Sequence, residues 1–248
     1  MMHPESKLQF RSIINRPSAK VFGWHLRPRM LERVIPPWEK ISILHSEGRP
    51  NRIGSNLVIK SRFLVLFTTT IELEYAEYEQ DERFLVRALS GILKDYAYET
   101  MVNSQGLNPE NAYASEVIDR FKFSLKVPFF IKAYLLSSIK KRIARILKYK
   151  HDMIERDIDM INKYPFEKPL KILISGSHGL IGKNLGYFLE FMGHDVWHLC
   201  RGMGDNEKTV YWNPKTRECD PRNFEGFDTV IHLAGENVGK GRWTEKKK

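Results

Sequence analysis

Three glycines at intervals of three, Gly176, Gly179 and Gly182, follow the β-rich run Lys171-Ile172-Leu173-Ile174-Ser175 and precede apolar residues at helical spacing: Ile181, Leu185, Phe188, Leu189 and Met192. Strand, tight turn and helix in that order form a place for a pyrophosphate. Gly176 would turn the chain off the strand, Gly179 would let backbone approach the anion, and Gly182 would let the helix sit close to the sheet. The loop Gly176-Ser177-His178-Gly179-Leu180-Ile181-Gly182 then points free N–H groups at the phosphates. Gly193 supplies a residue that can leave the helix with positive φ, and Val196-Trp197-His198-Leu199 resumes as a buried strand, which completes a βαβ unit. At the end of that second strand a carboxylate would accept from an adenine ribose; Arg201 there suits a 2′-phosphate, which favours NADP, with NAD the alternative. A glycine-rich turn without ligand and a solvent-facing arginine are the plainer readings of the same residues.

The elements that must position this loop belong to a chain of 248 residues, long enough for two domains. Two cysteines, Cys200 and Cys219, give no disulfide framework, and no basic-then-apolar leader or membrane-length apolar run stands out, so a cytoplasmic location is expected. The net charge of +10 is concentrated locally: between Phe121 and Lys150 there is no acid, while Lys122, Lys126, Lys132, Lys140, Lys141, Arg142, Arg145, Lys148 and Lys150 are all basic. A solvated helix face gives the same arithmetic as a surface for anionic membrane, and weak membrane contact is the functional alternative. Sequence-specific nucleic-acid binding is not expected, because neither a recognition helix nor a stacking platform stands out. The histidines and cysteines form no metal pattern, and Walker A and nucleophile-elbow motifs are lacking.

Residues 1–163 read as one domain. Leu8–Ile14 alternates as a first strand, Pro17-Ser18-Ala19 opens a short helix, a second spans Arg29–Val34, and Pro36-Pro37 stops it. Strand-like runs follow at Ile41–Glu47, Ile53–Phe67, Thr69–Glu79, Arg83–Leu89, Tyr96–Val102 and Glu116–Leu125. Ile71, Leu73 and Tyr75 alternate with Glu72, Glu74 and Ala76, the pattern of an antiparallel sheet with one wet face. A long helix is expected from about Phe130 to Asn162, with Ile139, Ile143, Ile146, Leu147, Met153, Ile154, Ile158 and Ile161 on its covered side. The segments Phe10…Arg16-Pro17…Val21-Phe22-Gly23-Trp24-His25 and Leu31-Glu32-Arg33-Val34-Ile35-Pro36-Pro37-Trp38-Glu39 resemble the opening of the helix-grip domains of the polyketide cyclase/START-like superfamily. That resemblance implies a sheet folded around a long C-terminal helix, and an apolar small-molecule ligand. Trp24, His25 and Trp38 would then belong to the core or line its pocket.

Two prolines in Tyr164-Pro165-Phe166-Glu167-Lys168-Pro169 mark 164–169 as a linker, and 170–248 as a second domain. Here Val210-Tyr211-Trp212 reads as a short strand, and Phe227–Gly235 as a buried parallel strand ending in small residues. Ile174–Gly182, Tyr211-Trp212-Asn213-Pro214, Phe224-Glu225-Gly226-Phe227-Asp228, His232-Leu233-Ala234-Gly235-Glu236-Asn237 and Gly241-Arg242-Trp243-Thr244 resemble the atypical, extended short-chain dehydrogenases/reductases described as NAD(P)-dependent nucleotide-sugar epimerases. The expected fold is therefore an α+β helix-grip domain followed by the first part of a Rossmann-type, doubly wound parallel sheet. The resemblance implies that Gly176, Gly179 and Gly182 receive the pyrophosphate, that Arg201 selects the ribose, and that Leu233, Ala234 and Gly235 lie beside the cofactor. The tyrosine and lysine that move the proton in that family would fall beyond Lys248, so the chain reads as the front portion of a longer enzyme or as a truncated product. A completed domain would transfer hydride to and from a carbinol carbon of a nucleotide-sugar-like substrate; the alternative is a non-catalytic carrier or sensor of an apolar ligand.

Overall fold

The computed structural model describes residues 6–63, 67–91, 93–107, 113–125, 129–202, 208–214, 216 and 218–235. Glu236, Asn237 and Gly241-Arg242-Trp243-Thr244 lie outside them. The chain divides into two compact units, Met1–Pro165 and Phe166–Lys248.

In the first unit the strands are β1 (Ser6–Ile14), β2 (Ile41–Ser46), β3 (Asn56–Phe63), β4 (Phe67–Glu79), β5 (Arg83–Ser90), β6 (Leu93–Leu107) and β7 (Tyr113–Leu125). They form one antiparallel sheet in the order β1-β7-β6-β5-β4-β3-β2, so β1 crosses to pair with β7 and every other neighbour is a hairpin. Register shifts in β2–β3, β4–β5 and β6–β7 insert extra residues on one strand, which bends and twists the sheet. Between β1 and β2 lie α1 (Ser18–Trp24) and α2 (Met30–Val34), and α3 (Phe129–Lys163) closes the unit. At 1.5 Å per residue, the 35 residues of α3 extend about 50 Å.

The alternation in β4 does what it implies: Ile71, Leu73 and Tyr75 are buried, and their neighbours are more open. Val21, Phe22 and Trp24 of α1 are also buried, with the Phe22 ring 5.9 Å from Tyr78 and 6.4 Å from Phe84. Along α3, Ile139, Leu147, Met153, Ile154 and Ile158 are buried, while Lys141, Arg145 and Lys148 share the open face. No described helix is long and apolar enough to cross a membrane.

Two expectations for this unit need correcting. Trp38 is 56% exposed and meets Tyr149 edge-on at 5.3 Å, so it does not belong to the core, unlike Trp24 and His25. Lys150 does not belong to the wet basic stripe: it is 1% exposed, because one turn past Ile146 and Leu147 the helix turns this position onto the sheet. There it meets Asp119 of β7, also fully buried, with Nζ 2.8 and 3.0 Å from the carboxylate oxygens. The hydroxyls of Tyr98 and Thr100 donate to Asp119 Oδ1 at 2.9 and 2.6 Å and accept from Lys150 at 2.8 and 3.2 Å. His151 Nε2 lies 2.7 Å from Oδ2, and its Nδ1 is held by Ser12 of β1. A second buried carboxylate, Asp157, receives Trp24 Nε1 at 3.0 Å and Arg33 Nε at 3.2 Å, which ties α1 and α2 to α3.

The second unit holds β8 (Lys171–Ser175), α4 (Leu180–Met192), β9 (Asp195–Cys200), β10 (Thr209–Tyr211), a 3₁₀ turn (Pro221–Phe224) and β11 (Thr229–His232). Its strands are all parallel, in the order β10-β9-β8-β11. Ile172, Ile174 and Val196 form one buried cluster; Leu173, Leu199 and Val210 form another with Trp197, Trp212, Phe224 and Phe227 around them. Gly193 ends α4 at φ 109°, its N–H bonded to the carbonyls of Leu189 and Glu190, as a glycine after a helix should. Among the described residues β11 is an edge strand, and Thr229, Val230 and His232 are exposed where a buried strand was expected.

Candidate functional site

The parallel sheet reverses direction between β8 and β11: the chain proceeds outward from β8 to β9 and β10, then returns to the other side of β8. At such a switch point the connections leave the strand ends on opposite faces, and a crevice opens beyond the carboxyl ends of the two strands on either side of it, here β8 and β11. Those ends are Ser175-Gly176 and His232-Leu233-Ala234.

The chain is very tight here. Gly176 has φ +69°, and a Cβ on it would lie 2.7 Å from the Leu233 carbonyl carbon and oxygen. A Cβ on Gly182 would lie 2.3 Å from the Gly176 carbonyl oxygen, so only glycine lets the first turn of α4 pack against the loop. The Gly179 N–H bonds to the Gly176 carbonyl at 2.9 Å, and α4 begins at the next residue with Gly179 in an extended conformation. Glycine has no side chain to cap a helix, and the first turn carries no acid; the first intrahelical bond is made by Lys183, at 2.9 Å to Gly179. The N–H groups of Leu180, Ile181 and Gly182 therefore precede the intrahelical ladder and point toward the crevice end of the helix.

Ser175, fully buried, holds the two strand ends together. Its Oγ accepts from the Leu233 and Ala234 N–H groups at 3.1 and 3.2 Å and lies 2.7 Å from His232 Nδ1. The sequence shows this residue only as the end of a β-rich run; its role depends on a partner 58 positions away. Ser175→Ala removes the Oγ acceptor of the Ala234 N–H and one of the two acceptors of the Leu233 N–H, which keeps the Ser175 carbonyl at 3.2 Å; it should cost about 1–3 kcal/mol, read as a fall in the unfolding midpoint of this unit.

The structure brings Gly176, Ser177, Gly179, Gly182, Leu233 and Ala234 together around the β8 and β11 ends, with Ser177 buried beneath the loop. His178, Leu180 and Ile181 stand open on the loop and the first turn; Leu180 and Ile181 are 83% and 69% exposed. Ile181 was expected on the covered face of α4. That face is instead made by Gly182, Gly186, Phe191 and Met192, with Gly182 packed so closely on the Gly176–Ser177 backbone that no side chain fits there. Arg201 follows the last residue of β9 and is exposed, and Gly235 is exposed just past the β11 end. His178 Nδ1 lies 3.8 Å from Cys200 Sγ, a thiol whose pKa burial pushes up. Among the described residues no group of three potential metal ligands converges.

No protein-family model matches the chain. "Epimerase family protein Mb2239" of Mycobacterium bovis is 36% identical over 73 residues, 29% of this chain and 24% of that protein. "Epimerase family protein ML0860" of Mycobacterium leprae is 34% identical over 73 residues, with the same coverage. The chain thus spans about a quarter of the length of the curated relatives it matches. The crystal structure of a nucleoside-diphosphate sugar epimerase from Corynebacterium glutamicum superposes with a TM-score of 0.68 at 19% identity, over 92% of this chain and 46% of that one. The chain is a helix-grip region followed by part of an epimerase-like Rossmann region. Within the Rossmann region, the fold places the glycine loop at the switch point. Within the helix-grip region, the Asp119–Lys150–His151 group was not foreseen: a lysine in a basic run and an aspartate in a strand gave no sign that they meet.

Proposed function

We propose that the Rossmann region binds the pyrophosphate and adenine ribose of NADP in an enzyme of hydride transfer, with NAD the alternative. The observation that carries this reading is the glycine loop packed between the β8 end and the start of α4 at the switch point: at Gly176 and Gly182 any Cβ would meet backbone at under 3 Å, and at Gly179 it would lie 3.2 Å from the Gly176 carbonyl oxygen. When bound, the nicotinamide supplies the hydride acceptor and donor. The residues of this chain bind and orient. N–H groups of the first turn of α4 hold phosphate oxygens, Leu233-Ala234-Gly235 border the cofactor, and the Arg201 guanidinium neutralises a 2′-phosphate. The reacting carbon is a carbinol of a nucleotide-sugar-like substrate, and the proton-transfer role is assigned to no residue of this chain. The helix-grip region binds a small molecule without chemistry of its own.

The test is a fluorescence titration of the chain with NADPH and NADH. Saturable NADPH binding is expected, weakened tenfold or more by Gly179→Val; the φ of −73° at Gly179 is open to any residue, but the new Cβ would lie 3.2 Å from the Gly176 carbonyl oxygen, so an unchanged circular-dichroism spectrum is required of the variant. Arg201→Glu should reverse the preference toward NADH. A folded sample that binds neither nucleotide would remove the proposal, and an NADH preference in the wild type would remove the assignment of Arg201.

A further inference from the structure

The helix α3 carries one continuous stripe, Phe130, Tyr134, Ser137, Lys141, Arg145 and Lys148, spaced four, three, four, four and three residues apart, so that all six share one face. All six are exposed. The opposite face is already covered: Ile139, Leu147 and Ile154 are buried, and Ile139 packs with Phe123 of β7. Core packing therefore does not account for the two rings at the start of the stripe, Phe130 at 73% and Tyr134 at 71% exposure. An aromatic pair one turn apart, left outside a helix whose apolar side is occupied, suits the boundary between water and lipid.

Charge gives the second observation. From Phe129 to His151 the helix contains no acid. Lys141 and Arg145 make no ion pair among the described residues, whereas Lys148 is bridged to Asp152 at 3.0 Å and Arg142, off the stripe, to Glu39. Beyond Lys148 the same spacing runs on through Asp152, Glu155 and Asp159, so the stripe changes sign halfway along the helix. Its first half, Phe130 to Lys148, is about 27 Å long at 1.5 Å per residue, aromatic at one end and cationic at the other. A straight row on a convex helix touches a plane along its whole length, while single-stranded nucleic acid needs a groove with stacking platforms. The complementary surface is flat, anionic, and apolar just beneath its charges.

We propose that the first half of α3 docks on the surface of a membrane rich in anionic lipid, with Phe130 and Tyr134 entering the headgroup boundary, Lys141 and Arg145 lying over the phosphates, and the acidic half directed away. The test is co-sedimentation of the full chain with vesicles of phosphatidylglycerol and phosphatidylcholine, and with vesicles of phosphatidylcholine alone. Binding is expected to the anionic vesicles only, and should weaken severalfold from low to physiological salt as the screening length shortens. One basic residue at such a surface is worth roughly fivefold, so Lys141→Gln/Arg145→Gln, at two exposed positions, should bind on the order of 25-fold more weakly. Tyr134→Ser should weaken binding severalfold at low and physiological salt alike, and Glu155→Lys, which carries the cationic stripe farther, should strengthen it. A wild type that ignores anionic vesicles or binds neutral ones equally, or a glutamine variant that binds as the wild type does, would overturn the proposal. Undiminished binding by Tyr134→Ser would also overturn it, by showing an unselective polyanion site, as would a dimer of the chain that the glutamine variant dissociates, which would give the stripe to a second copy. None of these readouts depends on a nucleotide.

Discussion

Asp119→Asn should be the most damaging single substitution in the helix-grip region, lowering its stability by about 3–5 kcal/mol. Burial alone would raise the Asp119 carboxyl pKa, but Lys150 and His151 beside it outweigh that and hold it well below the usual carboxylate range. Asparagine keeps the shape and removes the charge, leaving Lys150 ionised, 1% exposed and without its counter-ion. For a unit of this size the loss corresponds to roughly 10 °C in Tm. Two further measurements separate a charge effect from a packing effect. The double variant Asp119→Leu/Lys150→Met should be less destabilised than Asp119→Asn, because no charge remains to be buried. Urea unfolding at pH 10 should show a smaller loss for Asp119→Asn than at pH 7, since burial already lowers the Lys150 pKa and a neutral amine can stay where an ammonium cannot.

The acid side has the opposite sign. With the folded-state pKa of Asp119 depressed, the unfolded chain binds more protons once pH falls below its ordinary value of about 3.9. The contribution of Asp119 is therefore complete above that pH and is lost as pH falls toward the folded value; Asp119→Asn should flatten that part of the curve. A wild-type and variant that unfold alike at pH 7 would show the pair to contribute nothing.

Gly182→Ala is the second large effect. The new methyl would lie 2.3 Å from the Gly176 carbonyl oxygen and 2.8 Å from the Ser177 Cα, and both are backbone atoms that no rotamer change can move aside. Either α4 shifts off the sheet or the loop opens, and both displace the N–H groups at the helix start. We expect a loss of about 1–3 kcal/mol, as for overpacked cores, and NADPH affinity reduced a hundredfold or more. Gly186→Ala, one turn farther on, is the control: its methyl meets only Val196 Cγ1 at an ordinary 3.9 Å, and alanine is the better helix former. It should be neutral or slightly stabilising, with NADPH affinity kept. Equal behaviour of the two alanine variants would count against close packing at Gly182.

Much of this protein is local in origin and so was legible as text. The βαβ unit is fixed by neighbours in sequence: Lys171–Ser175 as a buried run, the glycine turn, α4, and Gly193 at its end. The alternation of Ile71, Leu73 and Tyr75 gave the antiparallel sheet, and the apolar stripe from Ile139 to Ile158 gave the helix that covers it. These patterns have periods of two and 3.6, and the period alone says which face is buried.

What only the tertiary structure decided are relations between distant positions. Which strand lies beside β8 is settled by packing, and with it the switch point, because a parallel strand can join either edge without altering its own pattern. Ser175 becomes a clasp only when Leu233 and Ala234 arrive beside it. Lys150 has the composition of the wet basic run around it, and only the rotation of α3 against β7 turns it inward onto Asp119, where a residue that usually stays in water is held by three polar partners, Asp119, Tyr98 and Thr100. Ile181 fits a helical stripe by spacing, yet it is exposed, and the covered face of α4 joins Gly182 and Gly186 to Phe191 and Met192, because the close approach of Gly182 to the Gly176–Ser177 backbone sets how the first turn is rotated.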